Sequence, residues 1–358
     1  MNQKNIAIVT LYDCNLGNRL QNYALQQVIK EKAGEVVTFK FYRKYPLKIQ
    51  IKRNLRFLLG MFGVDKYKIF YWNKAKRRRY ENFNSKYIKC LGPVNLDDLK
   101  DVPREYDYYV TGSDQVWHNW NLGKKELEYF YLEFTTPEKR MSYAPSFGFS
   151  QFPAIDIDKH KRGIEGIKKL SCREQDGCNL IKELTGIEAK RVIDPTFLLS
   201  AEEWRKIENK PTWISDKKIV VCYFLGVVTE EYKRHILPYE NNSQYQIVYI
   251  GSARSLEEYT ITPDEFLYLI DHCEVVFTDS FHACVFSLIF NKKFLAFPRR
   301  QNGMEDMKGR IENLFSMLHL KSRWYDEAHV EDNLETDYEK FITCEVNKAM
   351  QYLGDCFN

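Results

Sequence analysis

No Cys-x-x-Cys pair occurs among the nine cysteines, which are odd in number and scattered along the chain. A zinc site or a disulfide framework is therefore not expected, and reduced thiols in a cytoplasmic protein are the simpler reading. No apolar run approaches the roughly 20 residues that a bilayer span requires. The opening Met-Asn-Gln-Lys leads straight into a strand-like run, Ile6–Thr10, too short for the core of a signal peptide. A Gly-x-Gly-x-x-Gly fingerprint is missing, which disfavours a dinucleotide site. There is no internal repeat, no low-complexity segment and no metal-ligand spacing. A net charge of +4 does not by itself argue for nucleic acid.

What is present is a globular composition, 44% hydrophobic and 28% charged, over 358 residues. That length suggests two domains rather than one core. Short β-rich runs alternate with helical spacing in both halves. Strands are expected at Ile6–Thr10, Val36–Phe41, Tyr106–Thr111, Glu128–Leu132, Met141–Ala144, Leu170–Cys172 and Val192–Ile193. Helices are expected at 17–33, 158–168 and 174–185. After a linker-like stretch, Ser200–Trp213, strands follow at Ile219–Leu225, Gln246–Ile250, Val275–Thr278 and Phe294–Phe297. Helical spacing recurs at 230–237, 263–271, 281–290, 308–318 and 334–353. The pattern predicts an α/β protein with two doubly wound parallel sheets, one in residues 1–200 and one in 214–330, followed by a C-terminal helix in 331–358 that packs back on the first domain.

One segment breaks the alternation. Between Lys40 and Tyr80 there are fourteen Lys or Arg residues against one acid, Asp65, with Leu55, Phe57, Leu58, Leu59, Met61 and Phe62 interspersed. It is expected to be a basic helical insertion, around 43–90, in the first domain. Such an insertion suits an anionic membrane surface; a solvated helical hairpin with an ordinary buried stripe is the plainer alternative.

Polar clusters recur where strands end. After the first strand, Gly17 allows a tight turn, and Asn18, Gln21 and Asn22 offer donors and acceptors at a helix start. Capping alone also accounts for Asn18. After Tyr106–Thr111 comes Gly112-Ser113-Asp114-Gln115-Val116-Trp117, in which Asp114 suits a sugar hydroxyl, as hydrogen-bond acceptor or proton acceptor. Trp117 and Trp120 suit a sugar face; alternatively Ser113 or Asp114 caps a short helix while the tryptophans fill core. Ser146, in Ser142-Tyr-Ala-Pro-Ser-Phe-Gly148, fits a ligand contact or a plain turn. Arg173, in Ser171-Cys-Arg-Glu174, is a natural fork for phosphate or carboxylate, with structural pairing as the alternative.

The fifth cluster is the most informative. Residues 275–297 read as strand, polar elbow, helix and strand, and the elbow is Asp279-Ser280-Phe281-His282. Open α/β sheets bind ligands at the carboxyl ends of their strands, and helix amino termini there favour anions. His282 is thus placed as an acid–base group beside an anionic substrate. Downstream, Arg299, Arg300 and Arg310 flank a glycine-containing loop and are candidates for completing an anion pocket.

These clusters, in their order along the chain, resemble the polysaccharide pyruvyl transferase family. The matching pieces are Gly17-Asn18-Arg19-Leu20-Gln21-Asn22, Gly112-Ser-Asp-Gln-Val-Trp117, Ser142-Tyr-Ala, Ser171-Cys-Arg-Glu174, Ile193-Asp-Pro-Thr196 and Asp279-Ser-Phe-His282. The resemblance implies a glycosyltransferase-B-like fold of two Rossmann-like domains, with the site in the cleft between them. It implies transfer of pyruvate from phosphoenolpyruvate to two hydroxyls of a sugar, giving a cyclic ketal without a metal or a cofactor. Arg173 matches the family arginine tied to phosphoenolpyruvate binding, and His282 the catalytic histidine of an Arg-Leu-His motif. Here Ser280 and Phe281 stand where the family has arginine and leucine.

The expected assignment is therefore His282 and Asp114 as catalytic residues. Arg173, Ser280, Phe281, Arg299, Arg300 and Arg310 would bind the donor. Asn18, Gln21, Asn22, Ser113, Gln115 and Trp117 would bind the acceptor. The acceptor partner would be a glycan or lipid-linked oligosaccharide, with peripheral membrane contact through the basic segment and no nucleic acid. A nucleotide-sugar glycosyltransferase on the same fold and a non-catalytic glycan-binding protein are the competing readings.

Overall fold

The computed structural model describes residues 3–300, 308–334 and 337–357. Its strands are β1 (Lys4–Val9), β2 (Gly34–Tyr42), β3 (Cys90–Asn95), β4 (Tyr108–Thr111), β5 (Arg140–Ser142), β6 (Ser171–Cys172), β7 (Lys190–Arg191), β8 (Lys218–Tyr223), β9 (Tyr245–Tyr249), β10 (Cys273–Thr278) and β11 (Lys293–Ala296). The helices are α1 (Leu16–Ala33), α2 (Leu47–Met61), α3 (Lys68–Tyr87), α4 (Glu126–Phe130), α5 (Ile157–Glu165), α6 (Gln175–Thr185), α7 (Ala201–Arg205), α8 (Glu230–Glu240), α9 (Leu256–Tyr259), α10 (Pro263–Asp271), α11 (Phe281–Ile289), α12 (Lys308–Met317) and α13 (Tyr338–Phe357). They form two compact units. Unit 1 comprises Met1–Tyr45, Asn84–Leu198 and Ile342–Asn358; unit 2 comprises Pro46–Phe83 and Leu199–Phe341.

Unit 1 is built on a parallel sheet in the order β3-β2-β1-β4-β5. Ile6, Ala7, Ile8 and Val9 are fully buried, as expected of a central strand covered on both faces. A bridge from Met141 to Lys169 and the Ser142 N–H to Lys169 C=O bond (2.9 Å) carry the sheet edge towards β6 and β7. The chain leaves β1 in one direction for β2 and β3, then returns to β1's other side for β4 and β5. The switch point therefore lies between β1 and β4, where Val9 pairs with Thr111. Within this unit the end of α13 meets the sheet edge: Tyr352 donates to the Ser142 carbonyl (2.9 Å) and Glu345 pairs with Arg191 (2.8 Å).

Unit 2 repeats the logic with four parallel strands, β11-β10-β8-β9. Its switch point lies between β8 and β10, where Tyr223 pairs with Thr278. Ser200 and Glu203 form the capping box that opens α7.

Four expectations need correction. Glu128–Leu132 is not a strand. It lies on α4 and the turn after it, with Tyr129, Phe130, Tyr131 and Leu132 all fully buried. Burial on every side erases the period that separates helix from strand. The strand expected at Val192–Ile193 is β7, two residues earlier, and β3 had no counterpart in the sequence reading. The basic insertion, expected in the first domain, belongs to unit 2 from Pro46 to Phe83. The helix expected from 334 begins at Tyr338, and residues 335–336 lie outside those described.

His160 gives the unit 1 core a pH signature. It is fully buried between Phe152 (5.1 Å) and Phe149 (5.7 Å), with the Tyr131 hydroxyl 2.7 Å from its Nδ1. Burial pushes its pKa down to about 4. The unfolded chain therefore binds a proton that the folded chain refuses, at any pH from the ordinary imidazole value of about 6.5 down to 4. The melting temperature should fall as pH drops through that window. His160→Phe, with no proton to accept, should lose that part of the slope in thermal melts; an unchanged slope would contradict the assignment.

Candidate active site

At the unit 1 switch point, β4 runs into Gly112, whose φ of +122° suits glycine and whose added Cβ would collide with the Tyr143 carbonyl oxygen. Asp114 follows in the left-handed region at φ 68°. Its backbone carbonyl accepts from the Val116 and Ser146 amides (both 2.8 Å), while its carboxylate accepts from the Asn18 side-chain amide. The same carboxylate lies 3.7 Å from Nη1 of Arg173.

Arg173 is the hub of this edge. Its guanidinium donates to Glu174 (2.7 Å) and to Asp194 (2.9 Å) and is only 5% exposed. Asp194 is held in turn by the Thr196 amide (3.0 Å) and hydroxyl (2.7 Å). Burial alone would lower the Arg173 pKa, but the carboxylates of Glu174, Asp194 and Asp114 outweigh it and raise it. The fork that the sequence reading offered to a phosphate is engaged by three carboxylates of its own chain, an excess of negative charge.

The expected acceptor-binding residues form an internal lattice. Gln21 donates to Thr10 Oγ1 (2.8 Å) and accepts from the Ser113 amide (3.1 Å). Ser113 donates to the Ala144 carbonyl (2.9 Å), and Asn22 accepts from the Thr38 hydroxyl (2.8 Å). Gln21, Asn22, Ser113 and Trp117 are fully buried. Trp117 stacks on Tyr131 (5.3 Å) and contacts Phe147 (5.1 Å), so it is a core side chain rather than a sugar platform. Asn18 and Gln115 keep 3% and 7% of their surface, which leaves them little room to meet a sugar directly. Trp120 is only half-buried, stacked on His118 (4.2 Å).

Arg19 was given no role from the sequence. It is 1% exposed, its guanidinium lies 3.8 Å from the Tyr12 ring centroid, and neither Nε nor Nη1 meets a hydrogen-bond acceptor among the described residues. Only the fold shows that a cation on α1 is buried at the end of β1 with no carboxylate paired to it among the described residues.

The elbow of unit 2 is organised by Asp279. Its buried carboxylate accepts from the Leu225 (2.7 Å) and Gly226 (2.8 Å) amides, so it ties the end of β10 to the end of β8. Gly226 leaves space for the next strand end: a Cβ there would lie 2.8 Å from the Arg300 carbonyl oxygen. Burial raises the Asp279 pKa despite the opposing pull of Arg299 and the two amides. Arg299 Nη2 donates to the Asp279 carbonyl (3.3 Å), and its Nε is 3.8 Å from the carboxylate. Ser280 is the N-cap of α11, its amide held by Thr278 Oγ1 (2.9 Å). Phe281 and His282 form the first turn, at 6% and 7% exposure, and the Arg310 guanidinium is 6.0 Å from the Phe281 ring. Ser280, Phe281, His282, Arg299 and Arg310 thus gather at one strand-end. Arg300 turns to the Tyr232 hydroxyl (3.3 Å). The glycine-containing loop, residues 301–307, lies outside the described residues.

Among the described residues, Glu208, Asp271 and His272 form one group with ligand atoms within 4.8 Å of one another. Asp271 is already bidentate to Arg205 (2.7 and 2.9 Å), so the group reads first as an ion pair.

The family model of polysaccharide pyruvyl transferases matches residues 15–301, a span that contains both strand-end clusters. The chain belongs to the polysaccharide pyruvyl transferase family. It is an α/β member of a transferase family, with two Rossmann-like parallel-sheet units. A search of curated proteins finds no match. Among solved structures it is similar to the UDP-GlcNAc 2-epimerase of Neisseria meningitidis bound to UDP-GlcNAc, at 11% identity, 97% of this chain, 100% of that one and a TM-score of 0.45. A UDP-N-acetylglucosamine 2-epimerase assigned in Listeria monocytogenes gives 9%, 97%, 95% and 0.47. A spinosyn rhamnosyltransferase complexed with thymidine diphosphate gives 10%, 99%, 96% and 0.37.

Removing the Arg173 guanidinium should leave three carboxylates facing one another. Arg173→Met should cost about 3–5 kcal/mol of stability. The loss should shrink as pH falls towards about 4, where carboxylates protonate. Thermal melts across pH check this; a variant as stable as the parent at neutral pH would show that the cluster holds nothing together.

Proposed function

We propose that the protein transfers the pyruvyl group of phosphoenolpyruvate onto two hydroxyls of a sugar, in a polysaccharide or lipid-linked glycan precursor, to give a cyclic ketal. The observation that carries this reading is His282 in the first turn of α11, at the strand end where Arg299 bonds the Asp279 carbonyl, in a chain that the family model matches over 15–301. Protonation of the methylene carbon of phosphoenolpyruvate makes C2 electrophilic. One sugar hydroxyl adds there and loses its proton; the C2–O bond to phosphate breaks; the second hydroxyl closes the ketal as its proton leaves. A positioned imidazole suits both directions of proton transfer, and His282 takes that role.

Phosphoenolpyruvate brings a phosphate and a carboxylate, which need cations or N–H donors. Arg299, Arg310 and the amino end of α11 supply them in unit 2. In unit 1, Arg173 already faces Glu174, Asp194 and Asp114, whereas Arg19 meets no carboxylate among the described residues. Asp114 is the candidate for receiving a hydroxyl proton. No cofactor or metal is required, since the enol phosphate carries its own activation. A cytoplasmic setting fits nine cysteines that are all free thiols.

Incubation with phosphoenolpyruvate and a panel of glycans, read by mass spectrometry, tests the reaction. His282→Ala should lower turnover by about 100-fold or more with an unchanged melting temperature; full activity in that variant would exclude the role. Ser280, where the family has arginine, favours a second reading, a nucleotide-sugar glycosyltransferase. Thermal-shift measurements separate the two: stabilisation by nucleotide sugars and not by phosphoenolpyruvate would select the second.

A further inference from the structure

The basic segment of unit 2 folds as two helices with unequal surroundings. α3 is the inner one. Its Asn73 accepts from the Tyr259 hydroxyl (2.8 Å), Trp72 lies 5.7 Å from the Tyr259 ring, and Arg79 pairs with Glu265 (2.5 Å). α2 packs on α3 through one side only. Gly60, its single buried residue, fits against the Tyr67 carbonyl, Phe57 meets Tyr71 (5.9 Å), and Lys74 covers the Phe57 ring (4.2 Å).

The other side of α2 carries a stripe of large apolar residues in water. Leu47, Ile51, Leu55 and Leu58 recur at helical spacing, and Phe62 at the C-cap extends the line. Their exposures are 70%, 58%, 55%, 44% and 78%. A stripe of this kind on a helix of a compact unit calls for a partner. Lys48 and Lys52, both exposed, run along its edge, in a segment with fourteen basic residues and one acid. No helix among the described residues is long and apolar enough to cross a membrane.

We propose that α2 is an in-plane membrane helix that lays the Leu47–Ile51–Leu55–Leu58–Phe62 stripe into the headgroup boundary of an anionic bilayer. The apolar stripe supplies burial and the flanking lysines supply attraction to acidic headgroups. Charge favours this occupant over a second copy of the chain. A symmetric pairing of two such stripes would bring two strongly basic segments face to face, and juxtaposed like charges oppose association. The inference does not depend on the donor; it deepens the proposed function by seating the enzyme where a lipid-linked acceptor would be presented.

Co-sedimentation with vesicles of phosphatidylcholine, with and without phosphatidylglycerol, tests it. The parent should bind the phosphatidylglycerol vesicles, more weakly at high salt and on phosphatidylcholine alone. The double variant Ile51→Glu/Leu55→Glu should lose about tenfold or more of that binding. Both positions are exposed, so its melting temperature and its turnover on a soluble glycan should match the parent, which keeps this test apart from that of the reaction. Equal binding by the double variant, or no binding by the parent, would overturn the proposal. A concentration-dependent dimer in sedimentation velocity that the double variant abolishes would overturn it too, by giving the face to a second copy.

Discussion

One buried guanidinium holds the strand-end edge of unit 1 in shape. Arg173 reaches Asp114 after β4, Glu174 beside it and Asp194 after β7, and Asp114 in turn grips Asn18 at the start of α1. Four sequence clusters, far apart along the chain, meet at this one charge. Burying it costs several kcal/mol, and only the surrounding carboxylates and their own hydrogen bonds repay the cost. The loops that end β1, β4 and β7 cannot shift independently without exposing part of that cost. Arg173 therefore ties these loops to one another.

Unit 2 solves the same problem with the opposite sign. There a buried carboxylate, Asp279, binds two backbone amides and draws a cation, Arg299, alongside. Both units place their charged tie at the strand ends flanking a topological switch point, where connections diverge and leave space. Unit 1 is rich in carboxylate there, whereas unit 2 gathers Arg299, Arg310 and a helix amino terminus.

Much of this was legible in the sequence, and the failures have physical causes. Strand-to-helix alternation marked both sheets because buried parallel strands read as unbroken apolar runs. The elbow at 279–282 was visible because strand, polar break and helix are contiguous. The partners of Arg173 were not, since Asp194 and Asp114 approach it only after two crossovers. Trp117 looked like a sugar platform because an indole offers the same face to a sugar or to Tyr131, and only burial separates the two. The basic helices carried an amphipathic signal, but their attachment to unit 2 depends on single contacts such as Arg79 with Glu265. The exposed stripe on α2 likewise became evident only once α3 was seen to cover one side alone.

The path of the chain carries a consequence for how the protein is made. Unit 1 begins with the first strand yet takes its last piece, Ile342–Asn358, from the end of the chain, where Tyr352 closes on Ser142. During translation β5 and the segment after it must wait, with that edge uncovered, while Leu199–Phe341 of unit 2 is synthesised. Long sequence separation of this kind slows folding and lengthens the life of partly folded species. A ribosome stalled late in the message would release a chain whose earliest domain is the unfinished one, an exposed target for chaperones and proteases.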